Sequence, residues 1–174
     1  KREDRGDFLF GKTMGLIGLG RIGTHVARRL AGWDVRLLAA DPYVPAGRAA
    51  RLGVTLVDLP TLLAESDIVS VHCTLSDETR AIVGEKELRR MKSTALLVNT
   101  ARGEVVDEEA VARALNGGWI AGAAGDAFAN EPLPPSHCYR TVDPERLILT
   151  PHNIPHSETA RRANLRLALD QVLA

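Results

Sequence analysis

Two hydrophobic patterns alternate along this chain from end to end. Short β-prone apolar runs fall at 14–19, 35–39, 67–71, 95–98, 119–124 and 147–149. Amphipathic stretches lie between them. Ile22, Val26, Ala27 and Leu30 share one helical face, and Gly32 follows as a stop. Asp107 is placed to cap a helix whose first turn carries Glu108 and Glu109, acids that suit the positive end of its dipole. That helix would bury Ala110, Val111, Ala114 and Leu115 and end at Asn116-Gly117-Gly118. A last helix is predicted over 157–173. Strands separated by helices imply parallel pairing, because each parallel connection must cross the sheet. The strands are continuous apolar runs, as in a sheet covered on both faces. The predicted fold is a doubly wound α/β domain with a parallel sheet, one domain over 1–174.

Composition narrows the partners. Lys plus Arg number 22 and Asp plus Glu 22, so the formal charge is zero and nothing draws the chain to nucleic acid or an anionic membrane. No apolar run approaches the roughly 18 residues of a membrane span. The first residues, Lys1 to Asp7, are charged and do not resemble a secretory signal. Cys73 and Cys138 lie far apart without metal-ligand spacing, so free thiols in the cytoplasm and no metal are expected. The chain starts at Lys1 within a polar stretch, as an excised piece of a longer protein would. A long proline-rich loop over 130–144 exceeds a minimal connector.

Gly18-Leu19-Gly20-Arg21-Ile22-Gly23 has the pattern G-x-G-x-x-G. Glycine-rich hexapeptides arise by chance, but this one follows a strand and begins a helix, which gives it a mechanism. Gly18 permits a sharp turn, Gly20 close approach of a pyrophosphate, and Gly23 tight packing of helix on strand. The helix N-terminus offers free N–H groups and partial positive charge to phosphates. Asp41 stands at the predicted end of the second strand, 18 residues after Gly23. Its carboxylate can accept from both ribose hydroxyls and would repel a 2′-phosphate, which favours NAD over NADP.

Three ionisable residues follow later strands. Arg102 follows the run ending near residue 100, Glu131 lies a few residues beyond Asp126, and His152 follows Thr150. In an open parallel sheet ligands bind at the carboxyl ends of the strands, so these residues can meet. Arg102 can grip a carboxylate with two prongs. His152 can give a proton to a carbonyl oxygen and take it back in reverse. Glu131 can stabilise the protonated ring and fix its orientation. That set suits reduction of a 2-oxo acid. His72 and His156 compete for the histidine role, one within a strand run and one at a helix start. His25 and His137 have no matching carboxylate in the sequence.

The segment from Gly11 to Gly23, Asp41-Pro42-Tyr43, Val98-Asn99-Thr100-Ala101-Arg102-Gly103, Gly125-Asp126-Ala127-Phe128 with Asn130-Glu131-Pro132, and Leu149-Thr150-Pro151-His152 together resemble the D-isomer-specific 2-hydroxyacid dehydrogenases. The resemblance covers nearly the whole chain, in the right order. It implies Arg102 for the substrate carboxylate, Glu131 and His152 as the catalytic pair, and Asp126 near the nicotinamide carboxamide. Thr100 and Ala101 would line the nicotinamide pocket, and Cys73 and Thr74 would approach the adenosine side. Arg21 and Ile22 would give backbone N–H groups to the pyrophosphate. It further implies a Rossmann-type domain, a homodimer, and a second lobe, absent from this chain, without which little turnover is expected. Relatives that act as NAD(H)-responsive co-repressors offer an alternative. Thr74 stands where the family usually has proline, which would loosen its loop. Gly125 replaces an aliphatic residue, which would enlarge the pocket. Asn153-Ile154-Pro155-His156 replaces the usual small-residue turn after the histidine.

Overall fold

The computed structural model describes residues 9–153, 158–160, 162, 165 and 166. Its elements run β1 (Thr13–Ile17), α1 (Arg21–Leu30), β2 (Arg36–Ala40), α2 (Ala46–Ala50), β3 (Val54–Leu56), α3 (Leu59–Glu65), β4 (Ile68–Val71), α4 (Glu85–Leu88), β5 (Leu96–Asn99), α5 (Glu108–Asn116), β6 (Gly122–Gly125) and β7 (Leu147–Leu149). Single 3-10 turns occupy Gly103–Val105 and Cys138–Thr141. The seven strands form one sheet in the order β3-β2-β1-β4-β5-β6-β7, and every pairing is parallel. The chain works outward from β1 to β3, then returns to the other side of β1 to place β4. Strand order therefore reverses between β1 and β4, where an open α/β sheet leaves a crevice for ligands.

Apolar positions on the inner strands alternate between two cores. Leu16, Leu37 and Ala39 join Ala27 of α1 and Ala49 of α2 on one face. Ile17, Leu38, Val69, Val71 and Leu97 join Leu62 and Leu63 of α3 and the apolar side of α5 on the other. Each fully buried Leu or Ile contributes about 1.5–3 kcal/mol, so the cores hold the strand ends in fixed register. Asp107 caps α5 as expected, its Oδ1 accepting from Ala110 N at 2.9 Å.

The sheet differs from the predicted pattern in its short elements. β3 has three residues with Thr55 in the middle, too little for a periodic signal, and exists through its pairing with β2. α3, capped by Asp58, likewise falls outside the predicted elements. β6 begins at Gly122 rather than 119. Trp119 lies in the turn just after α5, where its backbone N–H donates to Ala114 O at 2.8 Å. Of the predicted terminal helix, residues 158–160, 162, 165 and 166 are helical. The rest of it, His156 and residues 1–8 lie outside the described residues.

Candidate active site

At the end of β1 the chain turns through Gly18 with φ +94°, a conformation that suits glycine. A Cβ there would stand 2.7 Å from the backbone nitrogen of Cys73, so the exit of β4 presses on the same turn. A Cβ on Gly23 would lie 2.3 Å from Gly18 O. Gly20 is different, with nothing within 4 Å of where its Cβ would be. Packing inside the protein does not demand glycine at 20, whereas close approach of a pyrophosphate does. The first helical bond of α1 runs from Thr24 N to Gly20 O at 3.0 Å. The amides of Arg21, Ile22 and Gly23 therefore have no partner within the helix, the arrangement that receives phosphate oxygens. Leu19 N is already committed, donating to Asp41 Oδ2 at 2.8 Å, while Asp41 Oδ1 accepts from Tyr43 N at 3.0 Å. Asp41 thus braces the glycine loop, a task its position in the sequence did not reveal. Beside it an apolar hollow of about 270 Å³ is lined by Pro42, Val57, Leu59 and Ile82, among others. The residues present fit a dinucleotide. Ile22 departs from its predicted place on the buried face of α1, since it is 60% exposed and borders the cleft next to the loop.

That cleft, of about 760 Å³, crosses the carboxyl ends of the central strands. Ile22, Cys73, Thr74, Thr100, Ala101, Arg102, Asp126 and His152 all line it. Glu131 stands behind His152, at an adjoining hollow that His152 also borders. His152 Nδ1 lies 2.9 and 3.0 Å from the two Glu131 carboxylate oxygens, which leaves Nε2 as the nitrogen for chemistry. Glu131 Oε1 also accepts from Phe128 N at 2.8 Å. That bond, the His152 contact and the positive charge of Arg102 hold the Glu131 carboxyl below the usual range.

The backbone beneath this pair is closely fastened. His152 has φ +49°, uncommon for a residue with a side chain, and is held there by its N–H donating to Asp126 Oδ1 at 3.2 Å. The Thr150 hydroxyl donates to the same oxygen. Asp126 N donates to Asn99 O at 3.1 Å, and the Asn99 side chain accepts from Ala101 N and donates to Arg102 O. Asn99, not singled out in the sequence, joins the arginine loop to the segment that positions His152. Arg102 Nη1 donates to Ala101 O at 2.7 Å. At Gly103 a Cβ would sit 2.0 Å from Ala129 N and 2.1 Å from Phe128 C, so two loops of the site cross here in backbone contact.

The family described as D-isomer specific 2-hydroxyacid dehydrogenase, NAD binding domain, matches residues 1–153. The chain belongs to this family. A glyoxylate reductase of Korarchaeum cryptofilum is 44% identical over 166 residues, covering 95% of this chain and 49% of that protein. A D-3-phosphoglycerate dehydrogenase of Mycobacterium bovis is 42% identical over 147 residues, 84% of this chain and 27% of that one. The crystal structure of a D-isomer specific 2-hydroxyacid dehydrogenase from Lactobacillus delbrueckii, complexed with NAD, superposes with a TM-score of 0.85 at 33% identity, covering 97% of this chain and 54% of that one. The chain therefore spans about half the length, or less, of the relatives it matches. It is the NAD-binding domain of this dehydrogenase family.

Two departures from the dehydrogenase pattern have different consequences from those expected. Gly125 does not enlarge the cleft, because Phe128 Cε1 and Leu149 Cδ2 lie 3.3 and 3.7 Å from where its Cβ would be. The loop after Thr74 is not loose: Thr79 Oγ1 donates to Thr74 O at 2.6 Å and accepts from Ser76 N at 2.8 Å. Among the competing histidines, His72 lies just past β4, bonded to Ser70 Oγ at 3.0 Å, with burial pushing its pKa down. His137, expected to lack a carboxylate, has one: Glu108 Oε2 lies 3.1 Å from its Nε2.

Proposed function

We propose that the full protein containing this domain reduces a small 2-oxo acid to the D-2-hydroxy acid with NADH, and runs the reverse oxidation with NAD. The observation that carries this reading is His152, backed by Glu131 at 2.9 Å and bordering the same cleft as Arg102 and Ile22 of the glycine-loop helix. NADH supplies the hydride that reduces the carbonyl carbon. Gly18, Gly20 and Gly23 shape the loop for its pyrophosphate, with the amides of Arg21 and Ile22 as donors. Asp41 accepts from the ribose hydroxyls, and the hollow beside it suits a flat apolar ring. Thr100, Ala101 and Asp126 border the nicotinamide, Cys73 and Thr74 the adenosine side. Arg102 grips the substrate carboxylate with its guanidinium fork. His152, protonated, gives its Nε2 proton to the substrate's carbonyl oxygen, and Glu131 stabilises the charged ring and holds it in place. In oxidation His152 takes the hydroxyl proton.

The same reading includes a second lobe elsewhere in the full protein, supported by the length of the relatives left unmatched. It also includes a homodimer and a cytoplasmic setting, with one NAD-binding domain over 1–174 in each subunit. The test is NADH oxidation by the full protein against a panel of 2-oxo acids, glyoxylate among them, with NADPH in parallel. Turnover with one acid and preference for NADH support the reading. Tight NADH binding without turnover on any acid contradicts it.

A further inference from the structure

Glu108 is the first residue of α5, where an acid needs no explanation beyond the helix dipole. Its carboxylate does not stay at its own helix end. Oε1 accepts from Ala129 N at 3.0 Å, and Oε2 lies 3.1 Å from His137 Nε2. The two side chains are only 10% and 7% exposed. Burying a carboxylate is costly unless its oxygens are satisfied, and here both are, by groups on the far side of the active-site loop. Tyr139 N donates to His137 Nδ1 at 3.3 Å, which puts the ring proton on Nε2, towards Glu108. The ring meets Phe128 edge-on at 6.5 Å and tilts against Tyr139 at 4.9 Å. Ala129, held by Glu108, directly follows Phe128, whose own N–H fixes Glu131 at 2.8 Å.

We propose that Glu108 and His137 are positioning residues that fix the loop bearing Glu131, and through it the orientation of His152. The inference rests on the dehydrogenase reading. Both groups facing the Glu108 carboxylate are N–H donors. A carboxamide of the same shape can accept from one and must turn its own N–H groups towards the other, so Glu108→Gln removes one bond at constant volume. A displacement of about 1 Å in such a site costs on the order of 100-fold, so kcat falls by about 10-fold to 100-fold while NADH affinity is unchanged.

The experiment is a double-mutant cycle in the full protein, with Glu108→Gln made in the wild-type and in the Glu131→Gln backgrounds. Loss of kcat in the first and no further loss in the second supports action through Glu131. Equal losses in both backgrounds overturn it, as does wild-type kcat in Glu108→Gln alone. Should Glu108→Gln fail to fold, His137 decides. His137→Gln keeps a donor near Nε2 and retains kcat, whereas His137→Phe keeps the aromatic packing and loses it. Equal kcat in those two variants overturns the proposal. Absence of turnover in the wild-type protein would instead remove the dehydrogenase reading itself, which separates the two failures.

Discussion

Gly103→Ala tests how strictly the arginine loop and the glutamate loop are locked together. Gly103 has no left-handed backbone, so alanine adds only a methyl group and no torsional strain. That methyl would stand 2.0 Å from Ala129 N and 2.1 Å from Phe128 C, against 3.4 Å or more in ordinary contact. Both neighbours are backbone and cannot rotate away, so one loop must retreat by about 1.4 Å, the gap between those separations. Overpacking on this scale costs about 1–3 kcal/mol. At about 2–4 °C per kcal/mol for a domain of this size, Tm falls by roughly 2–12 °C. The retreat draws Phe128 N from Glu131 and Ala129 N from Glu108, bonds of 2.8 and 3.0 Å. Misplacement of the catalytic pair by about 1 Å lowers kcat on the order of 100-fold. Calorimetry and steady-state NADH oxidation on the full protein read both effects. Wild-type Tm and kcat in Gly103→Ala would show that the loops do not cross as described.

Gly20→Ala leaves Tm unchanged, because nothing lies near the added methyl, but weakens NADH binding measured by fluorescence titration. Gly18→Ala lowers Tm as well as affinity, since its φ is +94° and its methyl would meet Cys73 N at 2.7 Å. Equal stability of these two variants would contradict the assignment of Gly20 to the ligand. Asp41→Asn can still accept from Leu19 N, giving up the bond from Tyr43 N, so the glycine loop stays braced while repulsion of a 2′-phosphate is relieved. Its ratio of NADPH to NADH affinity rises, and a ratio equal to wild type would remove Asp41 from cofactor choice. Glu131 has a carboxyl pKa below the usual 4.5, so its ionised-state contribution is complete above that pH and lost as pH falls through the lower, folded value. The Tm advantage of wild type over Glu131→Gln therefore persists down to about pH 4.5 and is lost only below it. A difference already lost at pH 6 would contradict the pairing.

The parts of the site legible in the sequence were those whose local reason is unusual. Three glycines between a strand and a helix, an acid at the next strand's end, and an arginine and a histidine just past later strands all mark the carboxyl edge of a parallel sheet. β3 escaped because three residues carry no period, and with it went Val57 and Leu59 beside Asp41. Asn99 was hidden for another reason: its side chain ties only its own loop, at Ala101 N and Arg102 O, and the bond that joins it to the His152 segment, from Asp126 N to its carbonyl, closes only when β5 and β6 lie side by side. Glu108 had a sufficient local explanation as an N-terminal helix acid, so nothing pointed to its reach across to Ala129. Ile22 fits the apolar face of α1 by spacing, yet it stands at the first turn, where the helix projects past the sheet into the cleft.

The most direct measurement is single-turnover hydride transfer, followed by NADH absorbance after mixing the preloaded full protein with its 2-oxo acid. General acid catalysis contributes about 100-fold to 10,000-fold, so His152→Ala slows the step on that scale while NADH affinity holds. An unchanged rate in His152→Ala would mean that the proton comes from elsewhere and that the His152–Glu131 pair is not the acid of this site.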